Sequence, residues 1–127
     1  MNIRFYLPLV LCCALVSPAQ AHPETDLALQ LISELAKVNG QALACQELTI
    51  AGRAKTLMMS HAPKTLRFGN AFEEATQQGF LAQINTQVAC PGAVLLSARL
   101  DVLAQQLQTS LPVTAPALAP INSKKVQ

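Results

Sequence analysis

Three groups of side chains in this sequence are of the kinds that do chemistry. The first is His22, Met59 and His61. A chain cut before His22 would offer a free amine beside an imidazole, a chelating pair for copper, and a thioether with an imidazole suits Cu(I). Against this, His61 falls at a helix end, where a histidine caps carbonyls. Met58, beside Met59, falls on an apolar helix side and is expected in the core.

The second group is Arg53, Lys55, Lys64 and Arg67, with no acidic residue between Glu47 and Glu73. Four cations in 15 residues are a candidate patch for an acidic partner or anion. They equally suit a solvated helix end, where cations favour the negative end of the dipole. The third group is Cys45 and Cys90. They lack the C-x-x-C spacing of a redox pair and have no neighbouring metal ligands, so a structural disulfide is expected. It would close a loop of about 45 residues.

No catalytic set is visible. Glu73 and Glu74 are adjacent, so on a helix they diverge by about 100° and cannot flank one bond. Asp101 has no sequence neighbour to work with. There is no G-x-S-x-G and no glycine-rich phosphate loop. The protein is therefore expected not to be an enzyme, and copper is its one candidate cofactor.

The compartment follows from residues 1–21. Arg4 charges the start, residues 5–16 are apolar, and Ala19-Gln20-Ala21 ends on small side chains. That order is an export signal, with His22 as the expected mature start. Its 12 apolar residues, broken by Pro8, fall short of the about 20 needed to span a bilayer, so no stable membrane insertion is expected. The expected location is the periplasm or outside the cell, where two remaining cysteines pair. After cleavage, eight basic side chains face seven acidic ones, with three phenylalanines and no tyrosine or tryptophan. Binding of nucleic acid is not expected, since base stacking needs aromatics on a basic surface.

The elements that must position these groups read as helices. In 24–45, Leu27, Leu31, Leu35, Val38, Ala42 and Cys45 share one arc, and Asn39-Gly40 offers a helix stop. A second segment, 47–60, puts Ile50, Ala54, Leu57 and Met58 on one side. A break is expected within 39–49, since one helix through 60 would be too long for so small a domain. His61-Ala62-Pro63 ends the second segment. In 65–86, Phe68, Ala71, Phe72, Ala75, Gly79, Phe80 and Ala82 line one side, and the small residues would admit a neighbour closely. In 92–110, opened by Pro91, Leu96, Leu100, Leu103, Leu107 and Leu111 form the sharpest stripe. Leu95 and Val102 form a second patch, which predicts burial on two sides. Residues 112–127 carry Pro112, Pro116 and Pro120 and read as an extended, mobile tail able to act as a short linear ligand.

The expected architecture is an all-α bundle of three or four helices over 22–111, stapled by Cys45–Cys90. The expected function is a non-catalytic interaction or envelope accessory module whose partner is another envelope protein. Its partner would meet a helix face or the Arg53, Lys55, Lys64 and Arg67 run. Copper handling through His22, Met59 and His61 is one alternative. A stress holdase that exposes its apolar stripes is the other.

Overall fold

The computed structural model describes residues 23–113. It contains four helices, α1 (Pro23–Ala44), α2 (Leu48–His61), α3 (Leu66–Asn85) and α4 (Ala93–Ser110), and no strand among the described residues. Residues 1–21, read above as an export signal, His22 and residues 114–127 lie outside the described residues.

Local chemistry explains the boundaries. Pro23 opens α1 with its φ already helical, and Glu24 and Asp26 lie at the positive end of the helix. The expected break in 39–49 falls at 45–47. There Gln46 turns left-handed at φ 61°, the Glu47 amide donates to the Ala42 carbonyl at 2.8 Å, and the Gln46 amide to Leu43 at 3.2 Å. These two bonds form a Schellman stop, with glutamine in the position glycine usually takes. Asn39-Gly40 is not the stop. Both residues lie buried inside α1. Pro63 ends α2 as expected, holding Ala62 extended at ψ 139°. Gly92, rather than Pro91, caps the start of α4.

Cross-links between helices fix their directions. Asp26 meets Arg67 near the starts of α1 and α3, and Gln41 meets Gln83 near their ends, so those two helices run the same way. Arg53 meets Asp101 and His61 meets Leu111, which aligns α2 with α4. Gln41 also meets Arg99, so α4 begins where α1 ends and runs back along it. The order is up-down-up-down. α1 packs on each of the other helices, and α2 packs on α4. Those three make a triangle, and α3 is laid on α1 outside it, with no comparable contact to α2 or α4.

The seam between α1 and α3 is close because of two glycines. A β-carbon at Gly40 would overlap the Thr76 carbonyl oxygen and stand 2.6 Å from the Phe80 nitrogen. One at Gly79 would stand 2.5 Å from the Lys37 carbonyl oxygen and 2.9 Å from its Cα. Backbone therefore touches backbone, and Ala36 and Ala75, one turn before each glycine, are buried. The expectation that small residues of the third helix admit a neighbour is met here. Asn39, buried in the seam, is satisfied by the Thr76 hydroxyl at 3.1 Å.

The core of the triangle is aliphatic. Leu35, Leu96, Leu100, Leu107 and Ile32 are fully buried, each contributing about 2 kcal/mol by leaving water. Stripe expectations change on three helices, and on α3 both Phe80 and Ala82 are exposed. Leu27, at the open end of α1, is 50% exposed. Leu95 and Val102 are also about half exposed. α4 is thus buried on one side only, because α3 sits on α1 and does not reach across to cover it. Cys45 and Cys90 are bonded, with their Cα atoms 5.7 Å apart. The disulfide ties the α1–α2 turn to the 86–92 linker.

Candidate docking groove

Since α3 and α4 both pack on α1 and make no comparable contact with each other, an open groove of about 890 Å³ lies between them with α1 as its floor. Val38 and Gly79 lie at its base, Ala82 on the α3 side, Val102 and Leu103 on the α4 side, and Val88 of the linker closes one end. The size falls in the range of ligand and peptide sites.

A chain of hydrogen bonds crosses that closed end. Arg99 Nη1 donates to Gln41 Oε1 at 3.1 Å, Gln41 Nε2 to Gln83 Oε1 at 2.8 Å, and Gln83 Nε2 to the Val88 carbonyl at 3.0 Å. It joins α4, α1, α3 and the linker, and so ties the two walls of the groove to its floor. Gln83 is buried, and both ends of its amide are used, which removes the desolvation cost of an unpaired polar group. Lys37 on the rim is paired with Glu34 at 2.8 Å. Arg99 makes no ion pair among the described residues, which leaves it the cation of the groove with no carboxylate beside it.

A second hollow adjoins Gln106. It is smaller, about 320 Å³, and is bounded by Leu27, Leu31, Gln105, Thr109 and Ser110. The two hollows share Gln106, and both lie along α4.

The residues singled out by the sequence lie elsewhere. Arg53 is turned towards α4, on Ser97 Oγ at 3.0 Å and Asp101 Oδ1 at 2.6 Å. Arg67 is turned towards α1, on Asp26 at 3.6 Å. Lys64 donates to the Met59 carbonyl, and Lys55 is exposed on α2. Two of the four cations therefore serve contacts between helices. His61 Nδ1 lies 2.7 Å from the Leu111 carbonyl. It caps α4 rather than its own helix, and Nδ1 must carry the proton to do so. Met59 is exposed, Met58 packs against the core, and His22 lies outside the described residues. No group of three or more His, Cys, Asp or Glu side chains gathers among the described residues. Glu73 and Glu74 are exposed on α3.

Gln41, Gln83, Arg99 and Val88 had no motif to mark them. The Leu95 and Val102 patch was the one available signal, and it pointed to burial because periodicity does not reveal which faces find a neighbour. No helix among the described residues is long and apolar enough to cross a membrane. Comparison with known proteins gives no match, whether to a family model, a curated protein or a solved structure.

Proposed function

We propose that this is a small, exported, non-catalytic module that binds another envelope protein in the groove between α3 and α4. The observation that supports this reading is the unfilled flank of α4. Val102 and Leu103 face Ala82 across a floor of α1, and the opening is held by a hydrogen-bonded frame. Apolar surface presented on rigid helices, with amides at the edge to fix register, suits a peptide or helix from a partner. The basic run is the weaker surface, since Arg53 and Arg67 are engaged within the fold. Export is supported by the signal-like residues 1–21 and by the disulfide, which suits an oxidising compartment.

The test compares two variants of the full chain. Val102→Arg fills and charges the groove, and Lys55→Glu with Lys64→Glu reverses the two cations of the basic run that form no ion pair among the described residues. Both are checked for unchanged circular dichroism and then used in crosslinking within the envelope. Proteins crosslinked to the wild type and to the lysine variant, but lost with Val102→Arg, are the expected result. Loss with the lysine variant alone would transfer the role to the basic run. Mass spectrometry of the exported protein checks the start at His22 and the bonded cysteines.

A further inference from the structure

We infer that the groove takes a chain end: the partner presents its own C-terminal segment, with the terminal carboxylate on Arg99 and an apolar side chain on Val102 and Leu103. The inference rests on the groove being a docking site and specifies the chemistry of what docks there.

The charge of the groove is unbalanced. Three charged side chains line it, and two of them, Glu34 and Lys37, neutralise each other at 2.8 Å. Arg99 is left over, so the lining carries one positive charge in excess. The acid nearest to it in sequence, Asp101, is held by Arg53 at 2.6 Å. Arg99 spends Nη1 on Gln41 Oε1 at 3.1 Å, and its other guanidinium N–H groups have no partner among the described residues. A guanidinium offers its donors as a planar fork that matches the two oxygens of a carboxylate. The bond to Gln41 holds that fork in place, and Gln41 is itself fixed by Gln83.

The shape of the groove selects which carboxylate. Arg99 lies at the end that Val88 closes, joined to it through Gln41 and Gln83. An aspartate or glutamate inside a longer chain would require that chain to run on past Arg99 into the 86–92 linker. A terminal carboxylate ends there. The partner therefore enters from the side of Lys37 and Glu34, one and two turns back along α1 from Gln41, and stops at Arg99.

The next layer is apolar. Val38 lies one turn before Gln41, and Val102 and Leu103 lie one turn after Arg99. Since α1 and α4 run in opposite directions, both steps lead away from the closed end, to about 5 Å along the helices from the cation. At about 3.8 Å per residue, that is the reach from a terminal carboxylate to the side chain of its own residue or of the one before it. Val102 is half exposed and so has apolar surface to be covered. Further from the closed end, Gln78 and Gln106 offer amides to a peptide backbone.

The test uses the full-length protein and a library of acetylated hexapeptides, prepared once with free C-terminal carboxylates and once with C-terminal amides. Captured peptides are identified by mass spectrometry and their affinities measured by NMR titration. Free acids ending in Leu, Ile or Val are expected, bound about fivefold or more tightly than their amides. The preference should be lost in Arg99→Gln, partly kept in Arg99→Lys, and weakened by salt. Equal binding of acids and amides would overturn the inference, as would capture from neither library or a preference that survives Arg99→Gln. Tighter binding of decanoate than of any free-acid peptide would overturn it too, assigning the site to an acyl chain. Partner crosslinking that depends on Val102 but is unchanged in Arg99→Gln would remove the chain-end inference alone. Acid-dependent peptide binding with no Val102-dependent partner in the envelope would uphold the Arg99 site and remove the envelope-protein reading alone.

Discussion

The two flanks of α3 show how differently one helix can be used. On the α1 side, Gly40 and Gly79 let backbones touch, and the seam admits nothing. On the α4 side the same helix presents Ala82 and Gln78 to open space. Small residues brought the first pair of helices together. The resulting lean of α3 on α1 is what leaves α4 uncovered. Tight packing in one place and a site in another are thus one structural decision, and the 86–92 linker must bridge the gap without helix contacts to hold it.

The comparison can be broken most severely at the staple. Replacing Cys45 and Cys90 with serine frees the linker and removes a closed loop of 45 residues. A loss of about 4 kcal/mol in urea unfolding is expected on chain entropy. Exchange of amides in 86–92 and at the end of α3 should rise first, since that is the gap the disulfide spans.

Gly40→Ala should cost about 3 kcal/mol, because its methyl meets peptide backbone that has no rotamer to yield. Gly52 on α2 provides the contrast, with nothing within 4 Å of its would-be Cβ. Gly52→Ala should raise stability by about 0.5–1 kcal/mol through helix propensity. Equal effects at the two sites would show that α1 and α3 are not in backbone contact.

Gln46→Gly addresses the turn beside the staple. At φ 61° a side chain is strained and glycine is not, so a gain of about 1 kcal/mol in thermal or urea unfolding is expected. A loss would mean that the left-handed Schellman turn is not the resting conformation.

The smallest stability effect belongs to the groove. Val102→Ser should change stability by no more than about 0.5 kcal/mol, because Val102 is 55% exposed. It should weaken crosslinking to a partner all the same. A large loss of stability would mean that the groove is closed in solution.

Much of the fold was legible in the chain. The leucine stripe of α4, the stop at Pro63 and the pairing of Cys45 with Cys90 each follow from a local rule or from counting. The central place of α1 was not legible. Its second buried row, Ala28, Ile32, Ala36 and Gly40, is made of small or isolated apolar residues that look weak beside the leucines. Asn39-Gly40 read as a stop for the same reason. Glycine after asparagine is commoner at helix ends than inside them, and only a neighbour's backbone makes sense of it there.

The sequence by itself determined that the described residues form helices, where most of those helices end, and which two sulfurs meet, because periodicity, proline and cysteine count act locally or without competitors. Only the tertiary structure decided which helices touch. Burial of an apolar stripe states that something must cover it and leaves the neighbour unnamed. Two glycines gave α3 to α1, and that choice opened the groove, built its glutamine frame and set Arg67 beside Asp26.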